Sequence, residues 1–155
     1  MKKLILSLVI LFSCQSAFAG GSLKNSMKTS ASALQAQSKR MEIVTQNIAN
    51  SETVGINPEQ DPYRRKTIFF ENIKDPQTGA NLVRVKKISV DDSDFKLMYK
   101  PGHPAADENG YVKYPNVNRT RETLDLKEAQ RSYEANISAI ETSKAMMQRT
   151  LELMR

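Results

Sequence analysis

The sequence has 155 residues, the length of one ordinary domain. Hydrophobic residues make up 39% and charged residues 26%, which excludes a chain too polar to fold, but 6% aromatic residues and no Trp do not predict one large core. The formal net charge of +6 leaves nucleic acid, an anionic membrane and an acidic polymer as classes of partner, and the compartment decides among them.

The first nineteen residues have the layout of a secretory signal. Lys2 and Lys3 form a positively charged start, and residues 4–12 are an apolar run that is too short to span a bilayer. The small residues Ala17 and Ala19 then stand where signal peptidase reads the chain, directly before a glycine. We therefore predict that residues 1–19 are a signal that is cleaved after Ala19.

Two alternatives to cleavage stay open. The segment could be kept as an anchor, or Cys14, which follows a loose lipoprotein box, could carry lipid. Cleavage would remove the only cysteine, which excludes disulfides, a thiol nucleophile and a cysteine metal site. The 23 basic residues less Lys2 and Lys3 would leave 21 against 17 acidic residues, a formal charge of +4. Because the chain is exported, we expect no nucleic-acid partner.

A first helix is predicted from Ser22, a suitable N-cap residue, to about residue 50, within an N-terminal segment of residues 20–50. Its large apolar residues recur every seven positions, at Met27, Leu34, Met41 and Ile48. Val44 falls in the adjoining row, which Ser30 and Gln37 interrupt. This narrow apolar seam on a polar helix predicts a partner helix.

The middle of the chain, residues 51–119, is predicted to be a β-rich insert with loops. Strands are predicted at residues 65–70, 82–90, 95–99 and 111–114, with a turn at residues 75–79. The alternation of the second strand slips by one residue at Lys86–Lys87, which predicts a bulge or the end of a strand. We expect a small sheet of three or four strands.

A second, longer helix is predicted over residues 120–155, which contain no Gly or Pro and would extend about 50 Å. Its apolar residues also recur every seven positions, with two further residues widening the stripe: Leu126, Tyr133, Ile140, Met147 and Met154, then Ile137 and Leu151. Polar Asn136 and Ser143 lie along this seam. The predicted fold class is mainly α with a small β insert, whose terminal helices pair antiparallel like a coiled coil. The stripes alone leave open whether further packing is within or between chains.

Three groups of residues resemble those of the flagellar basal-body rod proteins, most closely the proximal-rod members. The first is the turn at the end of the first helix, Asn47-Ile48-Ala49-Asn50. The second is the start of an eighteen-residue stretch, Pro101-Gly102-His103-Pro104. The third, in the last helix, includes Tyr133 and Asn136. The resemblance covers nearly all of residues 22–155.

The resemblance implies a structural, non-enzymatic subunit of the flagellar basal body, located in the periplasmic rod. It implies terminal helices that pack as a tube with copies of the same chain and with other rod proteins, and contact with the base near the export gate and rings. It implies no cofactor, metal, nucleic acid or small-molecule substrate. Assembly would use the stripe residues Met27, Leu34, Met41, Val44, Ile48, Leu126, Tyr133, Ile137, Ile140, Met147 and Leu151. Such proteins leave the cell through the flagellar type III apparatus without a cleaved signal, so the export route, or the true start of this chain, stays open.

Other classes of function have weaker support. The only histidine, His103, lies near Asp107 and Glu108, but one histidine with adjacent carboxylates lacks the ligand spacing of zinc or calcium sites. Consecutive carboxylates also do not predict the facing pair of a glycosidase, so a cell-wall hydrolase is disfavoured. The alternative outside the rod family is a monomeric periplasmic adaptor or binding protein with a self-contained helical hairpin.

Overall fold

The structure is a computed structural model that describes residues 19–154, with side chains from residue 23 onward. Two long helices, α1 (Ala19–Ala49) and α2 (Arg119–Leu153), enclose an insert of four strands along the chain. The predicted fold class is thereby confirmed. The helix α1 runs through Ser22, so this residue is not the N-cap that we predicted. The predicted signal lies outside the described residues, except for Ala19 itself.

The two helices pair antiparallel, as predicted. Near the end of α1, the amide of Asn47 lies 2.9 Å from a carboxylate oxygen of Glu122. Seven residues earlier on α1, the guanidinium of Arg40 lies 3.8 Å from the carboxylate of Asp125 and 4.0 Å from that of Glu128. Residue numbers therefore fall along α2 as they rise along α1.

Helix α2 begins with an N-cap that was not predicted from the sequence. The side chain of Asn118 accepts a hydrogen bond from the backbone N–H of Arg121 at 3.2 Å, which satisfies one of the free donors of the first turn. Glu122 supplies a negative charge in the same turn, where the helix dipole favours it. The start of α2 is therefore fixed by its own residues.

The insert contains two antiparallel hairpins, β1 (Lys66–Lys74) with β2 (Asn81–Val90) and β3 (Lys96–Tyr99) with β4 (Tyr111–Tyr114). All four predicted strands are present. In the first hairpin Phe69 pairs with Lys87 and Phe70 with Val85, so Lys86 is an extra residue and the predicted bulge is confirmed.

The prediction of a single sheet with three or four strands is wrong. The hairpins form two separate two-stranded sheets. After β2 the chain is held by Asn116, whose amide donates to the carbonyl of Asp91 at 2.9 Å and to the hydroxyl of Ser93 at 2.9 Å. The segment between β2 and β3 therefore bonds to Asn116 and does not extend the hydrogen-bond ladder of the first hairpin.

The turn between β1 and β2 is tied to α1. Gly79, at φ 69°, adopts the left-handed conformation that glycine tolerates, and its N–H donates to the carbonyl of Asp75 at 2.8 Å. The Asp75 carboxylate accepts hydrogen bonds from Lys28 on α1 and from Thr78, and these lower the pKa of Asp75 to about 2. A charged contact therefore joins the tip of the hairpin to the helix.

Helix α1 also covers the start of the outer edge of β2. The Thr29 hydroxyl donates to the carbonyl of Asn81 at 2.8 Å, and the Ser32 hydroxyl accepts from the N–H of Val83 at 3.1 Å. Residues three or four apart share one face of a helix, so these two hydroxyls form a short polar stripe. The stripe satisfies backbone groups that an edge strand otherwise leaves open.

The buried core is small. No Leu, Met, Phe or Tyr among residues 23–154 is fully buried. The buried apolar residues of this region are Ala36, Ile43, Val44, Ala80, Ala105, Val112, Val117 and Ala129. The helices of the described region include none that is long and apolar enough to cross a membrane.

Candidate functional site

A cluster of polar side chains, named here the polar junction, lies where the end of α1, the start of β1 and the first turn of α2 meet. It consists of Asn47, Tyr63, Arg65, Asn116 and Glu122. Asn47 is 1% exposed and Glu122 is 0% exposed. Buried polar groups must find partners inside the protein, so this cluster fixes how three elements meet.

Asn47 uses all the hydrogen-bonding capacity of its amide. Its Nδ2 donates to the backbone carbonyl of Lys66 at 2.8 Å and to Oε2 of Glu122 at 2.9 Å. Its Oδ1 accepts from the hydroxyl of Tyr63 at 2.8 Å and from the N–H of Lys66 at 2.9 Å. Because it bonds to both peptide groups of Lys66, the side chain acts like one residue of a neighbouring strand.

Glu122 carries a buried charge that Arg65 neutralises. The Arg65 Nε donates to Oε1 of Glu122 at 2.7 Å. Burial disfavours the charged form of Arg65, but the hydrogen bond and charge of Glu122 outweigh this effect and raise the pKa of Arg65. Burial, followed by the nearby charge of Glu122, also raises the pKa of the Tyr63 hydroxyl.

Asn116 connects the junction to the segment that follows β2. Its Oδ1 accepts from the backbone N–H of Arg65 at 2.8 Å. The Arg65 guanidinium lies 3.6 Å from the carboxylate of Asp91. Hydrogen bonds from Ser93, followed by the charge of Arg65, lower the pKa of Asp91. The junction therefore joins both helices to both hairpins of the insert.

Only one member of this cluster, Asn47, was predicted from the sequence, as part of a family motif. Another motif residue, Asn50, donates from Nδ2 to the carbonyl of Gln46 at 2.8 Å and so helps to end α1. In α2, the amide of the half-buried Asn136 donates to the carbonyl of Ser132 at 2.8 Å. Glu122 stood in a charged stretch and gave no signal that its side chain is buried.

The segment with Pro101, Gly102, His103 and Pro104 forms a turn before β4. The ring Nδ1 of His103 accepts from the backbone N–H of Ala105 at 3.1 Å. Gly110, at φ 79°, follows it in the left-handed region, and a Cβ there would stand 2.9 Å from the ring of Tyr99. These contacts give the segment a structural role in shaping the second hairpin.

The two carboxylates beside His103 do not face each other across a cleft. Oδ1 of Asp107 accepts from the N–H groups of Asn109 at 3.0 Å and Tyr111 at 2.7 Å, so it shapes the loop, while Glu108 is exposed. Within the part of the chain that the structure describes, no three His, Cys, Asp or Glu residues are grouped so that they could hold a metal ion.

Most of the buried positions on the two helices are small or polar residues. The most buried positions of the two helices are Ser30, Ala36, Ile43, Val44, Asn47, Glu122, Ala129 and Ser143. Ser30 and Ser143 were expected to interrupt the apolar rows, and the structure buries both of these short polar side chains.

Most of the predicted assembly residues are less buried than these positions. Val44 is buried and Leu151 is 62% exposed. The others are half-buried: Met27, Leu34, Met41, Ile48, Leu126, Tyr133, Ile137, Ile140 and Met147. Leu34 and Tyr133, from different helices, line one surface groove of about 350 Å³.

The apolar surface continues to the end of α2. Met146, Leu151, Leu153 and Met154 are all exposed there. Leu151 and Met154 share the face of the half-buried stripe residues and extend them as an apolar strip on the helix pair, whereas Met146 and Leu153 lie on the opposite face of α2. A strip of this kind is typical of an interaction surface.

Family models match both ends of the molecule. The model described as flagella basal body rod protein matches residues 27–55, and that described as flagellar basal body rod FlgEFG protein C-terminal matches residues 108–153. These segments contain Asn47 and Glu122, the two most buried members of the polar junction.

Several relatives share the name flagellar basal-body rod protein FlgC. The protein from Agrobacterium fabrum is 45% identical over 133 residues, which cover 86% of this chain and 96% of the relative. Those from Bacillus subtilis and Salmonella typhimurium are 42% and 41% identical, and the matches cover 83% and 84% of this chain and 96% and 97% of the relatives.

Proposed function

Because this chain belongs to the flagellar basal-body rod protein family, we propose that it is a subunit of the proximal part of the rod and transmits torque through packed helices. Its relatives at 41–45% identity are named as basal-body rod proteins, and the matches cover nearly their whole length. The family is structural, and we propose no catalytic role or cofactor for this chain.

The small core is the observation that carries this proposal. This chain of 155 residues fully buries no Leu, Met, Phe or Tyr among residues 23–154. Its largest apolar side chains are therefore available for contacts with other molecules. The apolar strip along α1 and α2 offers these side chains to helices of neighbouring molecules. Copies of this chain and other rod proteins are the proposed neighbours, with contact to the base near the export gate and rings at one end.

The fold suits a subunit of a tube. We propose that residues 20–50 and 120–155 form the rod core by coiled-coil-like packing, with residues 51–119 as an insert. Contacts between unlike surfaces that do not close into a ring generate a helical filament. The polar junction fastens the insert to both helices, so force applied to either part is passed to the other.

Replacing Leu151 with Asp is expected to abolish swimming and to remove the subunit from basal bodies. Leu151 is 62% exposed, so the change should leave the isolated fold intact while placing a charge in the proposed helix contact. Soft-agar motility and the amount of subunit in purified basal bodies measure the effect.

Thr142→Asp is the matched control, because Thr142 is exposed on the opposite side of α2 and the charge change is the same. This variant should swim normally. Normal swimming and incorporation of Leu151→Asp would contradict the proposed interface and favour a monomeric periplasmic adaptor built on a self-contained helical hairpin.

We also propose that the first nineteen residues direct export through the general secretory route and are removed. In support, the match to the Agrobacterium fabrum relative covers 96% of that relative but only 86% of this chain, so this chain carries residues that the relative lacks. N-terminal sequencing of the subunit from purified basal bodies should begin at Gly20. A sequence that begins at Met1 or between residues 2 and 18 would rule out cleavage after Ala19.

A further inference from the structure

We infer that a second copy of this chain adds its β3 strand, in the antiparallel sense, to the open edge of β1, so that neighbouring copies share a four-stranded sheet. The inference rests on the proposed function, because it requires copies to lie side by side. It names a contact of the insert, whereas the proposed function concerns the helices.

The start of β1 shows which of its peptide groups point outward. Both peptide groups of Lys66 bond to the side chain of Asn47, at 2.8 and 2.9 Å, and therefore point away from β2. In an antiparallel ladder, inward and outward residues alternate. Ile68 and Phe70 therefore also direct their N–H and C=O groups outward.

The far end of the hairpin gives the same alternation independently. Asn72 pairs with Val83, whose N–H points away from β1 to the hydroxyl of Ser32. The two residues of a pair either bond to each other or both point their N–H and C=O groups away from each other. Asn72 therefore also directs its N–H and C=O outward. The bulge lies on β2, at Lys86, and leaves the alternation of β1 undisturbed.

The outward groups of β1 find no partner in the described part of the chain. No hydrogen bond from outside the hairpin reaches Ile68, Phe70 or Asn72 from residues 19–154. This edge forms one wall of a cleft of about 450 Å³, which Ile43 and Asn47 on α1 and Glu122 on α2 also line. At the start of β1 the side chain of Asn47 makes the hydrogen bonds that a neighbouring strand would make. The outward peptide groups further along β1 are free to bond to another strand.

Strand β3 has the matching properties. The N–H of Lys100 donates to the carbonyl of Gly110 at 2.8 Å, so by alternation Leu97 and Tyr99 direct their peptide groups away from β4. Their side chains are 64% and 66% exposed, and Met98 between them is also exposed. A two-stranded sheet is marginal alone, so each hairpin would gain from a third and fourth strand.

Charge supports a copy of this chain as the occupant and, together with the existing contacts of Lys66, favours one direction. Lys66 and Lys74, at the two ends of β1, have no carboxylate within 4.0 Å among the described residues, where the ion pair on this strand is Glu71 with Arg84. The exposed Asp92 and Asp94, just before β3, likewise have no described cation partner.

Antiparallel pairing that sets Phe70 opposite Leu97 has two consequences. It joins two exposed apolar side chains. It also brings Lys74 beside the segment from Asp92 to Asp94, because four residues forward from Phe70 on β1 correspond to four residues backward from Leu97 on the partner. The opposite direction would set Lys74 beside Pro101 and Lys66 beside these carboxylates. The peptide groups of Lys66 are already bonded to Asn47, and its Nζ already donates to Oε1 of Gln46 at 3.2 Å, so we infer the antiparallel direction.

Disulfide trapping between copies tests the pairing. In the inferred register Glu71 of one copy faces Lys96 of the other as a non-hydrogen-bonded pair, with Cα atoms about 4.5 Å apart, which a disulfide can bridge. Full-length Glu71→Cys and Lys96→Cys chains, both also carrying Cys14→Ser, would be produced together in cells. Mild oxidation of the purified basal bodies should give a cross-linked dimer on a non-reducing gel.

The control pair is Lys86→Cys with Lys96→Cys, because Lys86 lies on the bulge of β2, away from the open edge. A dimer from the matched pair that is lost in the control supports the inference. Equal dimer in both, or no dimer in basal bodies that contain both chains, overturns the inference and leaves the rod function standing.

A second matched pair, Phe69→Cys with Met98→Cys, has the same geometry in this register and decides the question if the first pair is not incorporated. Absence of the wild-type chain itself from basal bodies would overturn both the shared sheet and the proposed function.

Discussion

Replacing Asn47 with Ala is expected to lower the free energy of unfolding by about 3 kcal/mol or more, because several buried groups lose their partners and each such loss costs roughly 1–3 kcal/mol. The groups left without a partner are Oε2 of Glu122, the Tyr63 hydroxyl and both peptide groups of Lys66. Urea denaturation of the purified chain, followed by circular dichroism, measures the change.

Asn50→Ala is the matched control, since it removes the same side chain from the same helix end. Asn50 is half-buried and its amide donates one hydrogen bond, to the carbonyl of Gln46. We expect a loss of about 1 kcal/mol or less for one such bond. Equal losses for the two variants would show that the four bonds of Asn47 do not stabilise the fold as described.

Glu122→Gln is expected to destabilise the chain by about 3 kcal/mol, the lower end of the cost of removing one partner from a buried ion pair. The change keeps the shape of the side chain but leaves the Arg65 guanidinium without its closest carboxylate, at 2.7 Å. The side chain of Arg65 is 24% exposed, so water can solvate part of its charge, which favours the lower figure. The same denaturation experiment measures it.

Glu128→Gln makes the same chemical change two turns further along α2. The Glu128 carboxylate is 72% exposed and lies 4.0 Å from the guanidinium of Arg40. Exposed pairs of this kind contribute about 1 kcal/mol at most, so this variant should unfold close to the wild type. If Glu122→Gln is no more destabilising than this control, burial of the charge is not what makes the junction important.

The elements with strong local signals could be predicted from the sequence. Heptad spacing and the absence of Gly and Pro predicted both helices, which the structure has at Ala19–Ala49 and Arg119–Leu153. The slip in alternation at Lys86–Lys87 predicted the bulge that the register of β1 and β2 confirms. In each case the deciding information lies within a few residues of the feature.

The polar junction could not be predicted, because its members are distant in sequence. Asn47 and Glu122 are 75 residues apart, and a charged residue in a polar helix is normally on the surface. The sheet prediction failed for a similar reason, since Asn116, far along the chain, holds the segment after β2.

The most buried helix positions were also not predicted. The prediction used rows of large apolar residues such as Met27 and Leu34, which are half-buried, while the small residues Ser30 and Ala129 are buried. The assembly role of the large residues stays a prediction, which the Leu151→Asp variant tests.

Thr29 and Ser32 cover the outer edge of β2 at Asn81 and Val83, next to the turn, and so limit how unassembled copies can associate there. A hairpin with both edges open can recruit strands on either side and extend without end into an amyloid-like ribbon. At the end next to the turn, this hairpin can therefore recruit a strand on the β1 side alone. A ribbon that grows by strand addition on both sides of the hairpin is interrupted there.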